Sequence, residues 1–349
     1  MSRIFAPLNM CLLMIGIVIA LSFTTFAETA LVLGLYFIII LIVLFIHELG
    51  HVIGGKLAGY QFLYMTVGPI TIQKDPNLKI VPNPSWTAFG GIANCTPAEA
   101  NLSNLVKRHK IYVAGGPVFT GIAFIAGLLI WFVTEHEIAM AFMVLNAAIF
   151  LATATPFRGT FRSDGSVYLL LHKGGKEAET FLAGLLLLKE MMSPKKPTDW
   201  DKSLIEEAQK TEVSIETTTT AFLLFYYYLV TANYERASES IALYKQIPVT
   251  KKTKFNLQFI MHIQQIDSFF SNEPDVSFIK SVHKQLSNME PISYKRSEAM
   301  LAHLEGNPER AIQLLKEVFE KCTKGIEQYG FFEAERKLTL IVIEKIQID

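Results

Sequence analysis

Cysteine is scarce. The 349 residues contain three, Cys11, Cys95 and Cys322, far apart and without a C-x-x-C pair. That excludes a disulfide framework and a cysteine-built zinc site, and leaves the three as small apolar residues. A surplus of either charge is lacking too: 32 Lys and Arg balance 32 Asp and Glu. With no basic excess, nucleic acid is not expected as a partner. Charge of any sign is thin in one half. Residues 1–175 carry 17 charged side chains, whereas the remaining 174 carry 47. Densities so unlike belong to different solvents, so the first half reads as lipid-embedded and the second as water-soluble.

Four stretches lack charge altogether. They are the 24 residues between Arg3 and Glu28, the 18 from Thr29 to Ile46, the 24 between Lys110 and Glu135, and the 20 between Glu137 and Arg158. A helix needs about 20 mostly apolar residues to cross a hydrocarbon core roughly 30 Å thick. The pattern therefore predicts a polytopic, mainly α bundle of about four spans, with the first run retained rather than cleaved as a signal peptide. The links at 27–30 and 134–138 hold Glu28, Glu135 and Glu137 but no Lys or Arg. The opposite side holds Arg3, Lys56, Lys74, Lys79, Lys107, Arg108, Lys110, Arg158, Arg162 and Lys173. Positive residues mark the cytoplasmic side, so a multi-pass protein of the cell membrane is expected, with both termini and its soluble half in the cytosol.

The second run ends in His47-Glu48-Leu49-Gly50-His51. On a helix, positions four apart share a face, so both imidazoles can reach one ion while Glu48 projects beside them as a general base. Zinc would lower the pKa of a bound water to about 7 and needs a third protein ligand. Ionisable groups at membrane depth are costly, which favours a functional reading of all three. By the orientation above, Glu28, Glu135 and Glu137 face away, leaving Asp75, Glu99, His109, Asp164 and His172 as candidates for the third position. Asp164 stands out because Gly165 next to it permits a bend, although Asp-Gly is by itself a common turn signal.

The segment from His47 to Gly59 resembles the active-site helix of the site-2 protease family of intramembrane zinc proteases. Phe89-Gly90-Gly91-Ile92, Ala114-Gly115-Gly116-Pro117, and Pro156 through Ser163-Asp164-Gly165 follow in the family's order. The resemblance covers roughly residues 30–170. It implies one zinc ion per chain held by His47, His51 and Asp164, with Glu48 as catalytic base. It also places Gly90, Gly91, Thr153 and Pro156 near the substrate. Thr153 and Thr120 stand where the family often has asparagine, and a hydroxyl lacks an amide's separate donor and acceptor.

Tyr60–Ile72 is rich in aromatic and β-branched residues and is followed by several prolines, which predicts a small β segment within residues 60–95. An exposed strand edge there would suit the unwinding of a substrate helix; an amphipathic loop is the alternative. Residues 176–202 read as a linker between a membrane domain, 1–175, and a soluble domain, 203–349. In the latter, helical patterns flank turns at Asn233, Asn272 and Asn307, which lie 39 and 35 residues apart. That period resembles tetratricopeptide-like repeats, whose stacked helices bind peptides; a plain helical bundle is the alternative. The expected function is regulated proteolysis of membrane-spanning or membrane-bound proteins. The repeats would hold a substrate tail or a regulatory protein. The competing expectation is a catalytically silent relative that acts as a scaffold through those repeats.

Overall fold

The computed structural model describes residues 5–75, 77–83, 86–97, 102–157, 162–287 and 290–348. Arg3, Pro76, Pro84, Glu99 and Arg158, and the side chain of Asp75, lie outside the described residues. The chain divides into two units, Met1–Ala178 and Glu179–Asp349.

The first uncharged run does not form one long helix. α1 spans Pro7–Leu21, with proline at its first position, where the missing N–H goes unused. It stops at Ser22 because Ser22 and Thr24 turn their hydroxyls onto the carbonyls of Ile19 and Leu21. At 15 residues it is apolar but short for a span. The second run behaves as expected. α2, Ala27–Leu57, is unbroken over 31 residues, with Glu28 in its first turn and Lys56 in its last, both favourable to the helix dipole. Among the described residues, three helices are long and apolar enough to cross a membrane: α2, α3 (Leu102–Thr134) and α4 (Glu137–Ala154). The expected count of four thus becomes three.

Between α2 and α3 the β segment is a four-stranded antiparallel sheet in the order β3-β2-β1-β4. Its strands are β1 Tyr60–Val67, β2 Ile70–Asp75, β3 Asn77–Pro82 and β4 Ile92–Pro97. Pro82 and Pro97 end strands, and Pro69 lies in the β1–β2 turn, positions where a missing N–H breaks no ladder. β1 pairs with both neighbours, Met65 standing opposite Ile72 and Ala93. β4 lies at the edge. After α4 the chain turns at Ser163, whose hydroxyl oxygen accepts from the amides of Phe157 and Ser166 and donates to Thr155 O. α5, Asp164–Lys173, starts at once.

Residues 176–191, the first part of the expected linker, are helical and belong to α6, Gly175–Met191. The second unit continues with α7 Lys202–Ala208, α8 Thr218–Val230, α9 Tyr234–Ala242, α10 Gln258–Phe270, α11 Val276–His283, α12 Pro291–Leu304, α13 Pro308–Gly325 and α14 Phe332–Ile348. At each of the three turns noted in the sequence, two helices meet in a hairpin. Asn233 and Asn307 cap the second helix of theirs, accepting from Arg236 N and Arg310 N. In the middle hairpin the cap is Asp275, accepting from Phe278 N, and not Asn272.

The helices of this unit close on a buried polar network. Arg296, fully buried in α12, pairs with Glu335 of α14 and donates to Thr339 Oγ1 at 3.2 Å and to His262 Nε2 at 3.1 Å. Tyr226 of α8 donates to Glu335. Burial, and then the Arg296 charge, push His262 far below the usual imidazole range, so it is neutral and donates from Nδ1 to Gln265 Oε1 at 3.1 Å. Gln265 in turn reaches Ile279 O and Ser297 Oγ. Breaking one side of a buried ion pair costs about 3–5 kcal/mol, whereas replacing both sides with apolar groups is often neutral. Arg296→Ala is therefore expected to raise hydrogen exchange of α12 and α14 in the full-length protein by a corresponding margin. Arg296→Met with Glu335→Leu should restore much of the protection. Unchanged exchange in the single variant would show that the network does not hold these helices together.

Candidate metal centre

His47 and His51 lie one turn apart on α2, Asp164 is the first residue of α5, and the three side chains converge. His47 Nε2 and His51 Nε2 are 3.2 Å apart, and Asp164 Oδ2 is 3.3 Å from the one and 3.4 Å from the other. A tetrahedral zinc ion with ligand distances of about 2.0–2.1 Å separates its ligands by about 3.3–3.4 Å, so the triangle has the size the ion requires.

The hydrogen bonds behind the imidazoles fix what the triangle presents. His51 Nδ1 donates to Tyr112 O at 3.0 Å. Thr120 Oγ1 donates its own proton to Gly116 O at 2.6 Å, so it can only accept from His47 Nδ1, 3.1 Å away. Both rings then carry their proton on Nδ1 and turn a lone pair inward from Nε2. Two lone pairs and a carboxylate oxygen facing one another repel unless a cation lies between them. The donor set therefore fits a divalent metal.

Backbone contact between α2 and α3 makes room for it. A Cβ at Gly50 would lie 2.8 Å from Phe119 Cβ and overlap Gly115 O, and one at Gly115 would overlap Gly50 O. At Gly116, the second residue of the Gly-Gly-Pro segment within α3, a Cβ would come within 2.7 Å of His47 Cε1 and 2.8 Å of its Nε2. It would fill the space the three ligands face. Asp164 arrives by the same means, since a Cβ at Gly165 would stand 2.5 Å from the carbonyl carbon of Ala154.

Glu48 is buried on the same helix and shares a cavity of about 230 Å³ with His47, His51, Asp164, Tyr112, Val113 and residues Gly91–Ala93. Gly91 has φ +118°, a conformation side chains rarely adopt, and a Cβ there would sit 2.9 Å from Glu48 Cδ. The start of β4 thus rests directly on the Glu48 carboxylate.

Of the other residues singled out in sequence, Gly90 is exposed with open space around it, and Pro156 is exposed. Thr153 spends its hydroxyl on Ile149 O of its own helix, 2.9 Å away. His109 bonds the Tyr60 hydroxyl at 3.1 Å, and His172 stacks on Tyr168 at the surface, so neither joins the triangle. Glu28 begins α2, 19 residues before His47, roughly 28 Å along the axis. Sequence reasoning missed Tyr112, whose carbonyl holds His51 and whose hydroxyl donates to Ala93 O of β4 at 2.6 Å. It noted Thr120 only as a departure from a pattern. Nothing in the local sequence marks either, because both act across the α2–α3 contact.

The sequence model of peptidase family M50 matches residues 35–327. The chain belongs to peptidase family M50. M50 peptidases are zinc metalloproteases of membranes, in agreement with the three apolar helices and the His47-His51-Asp164 group. Neither a curated protein nor a solved structure matches this M50 peptidase.

Two substitutions separate the roles assigned here. Thr120→Val removes the acceptor behind His47 and should weaken zinc binding about 10–100-fold, with Thr120→Ser restoring most of it. Gly116→Ala puts a methyl group among the ligands and should lower zinc content far more. Chelator competition on purified protein measures both. Wild-type affinity in Thr120→Val would remove this residue from the site.

Proposed function

We propose that this M50 peptidase is an intramembrane protease of the site-2 type. It hydrolyses peptide bonds of membrane-spanning or membrane-bound proteins with one zinc ion held by His47, His51 and Asp164. The observation that carries this reading is the position of the triangle: two of its corners belong to an unbroken apolar helix of spanning length. A soluble peptidase would have no reason to place them there. A complete donor set with Glu48 beside it also weighs against a silent scaffold.

Zinc, when bound, supplies a Lewis acid that polarises the scissile carbonyl and acidifies the attacking water. The chain's own residues do the rest. Glu48 takes the proton of that water and passes it to the leaving amine; its place against Gly91 keeps its carboxylate facing the cavity. Thr120 and Tyr112 hold the two imidazoles in the tautomer that leaves Nε2 unprotonated. β4, at the sheet edge, offers backbone groups to a substrate segment that has unwound, which orients the bond to be cut. The three helical hairpins of the second unit serve, in this reading, as a tetratricopeptide-like module for a substrate tail or regulatory protein. The lysine and arginine placement favours the cytosol for that module; with three crossings instead of four, the start of α2 then lies on the opposite side of the membrane.

Glu48→Gln keeps the shape of the side chain but cannot accept the proton. Cleavage should fall by about 10²–10⁴-fold while zinc stays bound. Membrane proteomes of cells with wild-type and Glu48→Gln enzyme should then differ by accumulated uncut substrates. Cleavage near the wild-type rate in the variant would refute the role of Glu48. Orientation is read by His136→Cys, whose thiol should react with an impermeant reagent added from outside the cell. Labelling from the cytosolic side alone would reverse the topology.

A further inference from the structure

A second cleft, of about 390 Å³, opens in the second unit between the end of α7, the turn after it, and helices α8 and α9. Its floor is made by Ala221 and Leu224, both buried. Its lips carry Val213 and Leu243, which are 42% and 57% exposed. Large apolar side chains beside a concave apolar floor are the composition of a binding cleft rather than of a solvated helix surface.

Three polar groups line the same cleft. Thr211 lines it, with its Oγ1 shielded from solvent and without a hydrogen-bond partner. The Arg236 guanidinium lies over the Tyr228 ring, 5.8 Å from its centre, and Gln209 bonds the Tyr228 hydroxyl, so the ring holds the cation in place. Among the described residues Arg236 forms no ion pair. Glu239 stands one turn along α9.

The geometry points to a peptide-binding site: the cleft takes a short extended segment carrying an aliphatic side chain next to a single carboxylate. The aliphatic group covers the floor between Val213 and Leu243. The carboxylate meets Arg236, whose planar fork is already stacked and so loses little freedom on binding. Glu239 repels a second acid, so a lone carboxylate is preferred over an acidic run. The volume is near the lower end of the roughly 300–1,000 Å³ typical of ligand pockets, which suits a few extended residues and not a helix about 10 Å across. Assigning the segment to the tail of a membrane substrate rests on the protease reading above; the binding itself does not.

Fluorescence anisotropy on full-length Glu48→Gln protein in detergent micelles reads binding without cleavage. The probe is a labelled, end-capped Gly-Ser-Leu-Asp-Gly peptide. Saturable binding is expected, weakened about tenfold or more when Asn replaces the Asp, when Ser replaces the Leu, or when the run becomes Asp-Asp-Asp. Arg236→Gln should cost the same factor with unchanged thermal unfolding. No anisotropy change up to about millimolar protein, equal binding of the Asp and Asn peptides, or full affinity in Arg236→Gln would each overturn the proposal. Binding that persists in a protein found to cut nothing would uphold this site and refute the protease reading instead.

Discussion

The contact on which the site depends is the one between the backbones of α2 and α3 at Gly50 and Gly115. Helices that meet through side chains keep their axes about 8–10 Å apart. Here neither residue has a side chain, and the approach is closer. In lipid such packing is also the main attraction available, since apolar side chains gain nothing by leaving hydrocarbon for each other. Closeness is what lets groups on α3 act on groups on α2. Thr120 reaches His47, the Tyr112 carbonyl reaches His51, and the bare Gly116 leaves the space the ligands face. Move the helices apart by one methyl group and all three relations change together.

Two buried polar clusters, one in each unit, are built in opposite ways. In the second unit Arg296 and Glu335 cancel, and the surrounding Tyr226, His262, Gln265 and Thr339 use up the remaining donors and acceptors. Such an interior is complete without help and holds helices in register. In the first unit the triangle brings together only electron-pair donors, the Nε2 atoms of His47 and His51 and the carboxylate of Asp164. A buried set that is left incomplete on one side is a site; a buried set that closes on itself is a framework.

Much of this was legible in the sequence, and the failures have physical causes. The His-Glu-x-x-His spacing brought out two corners of the triangle and the neighbouring Glu48 because helix geometry is local. Asp164 could not be chosen from its own neighbours, since Asp-Gly serves turns as well; its approach to the histidines comes from Ser163 capping α5 and from Gly165 against Ala154. Counting uncharged residues gave four spans where three helices have the length. The count ignored Ser22 and Thr24, which end α1 without bearing charge. Tyr112 was invisible because an aromatic residue in an apolar helix has no signature until the neighbouring helix is in place.

The unbroken course of α2 ties the chemistry to the lipid. Its 18 uncharged residues ahead of His47 measure roughly 27 Å along the axis, close to the hydrocarbon thickness of a bilayer. Bilayers that differ by a few Å are met by tilting the helix or deforming the lipid. No hinge separates the apolar stretch from His47, Glu48 and His51, so a tilt carries all three with it. The distance from the reacting bond to bulk water then varies with acyl-chain length and sterol content. For the intramembrane protease proposed above, membrane composition becomes a control on the reaction, exerted through the angle of a single helix.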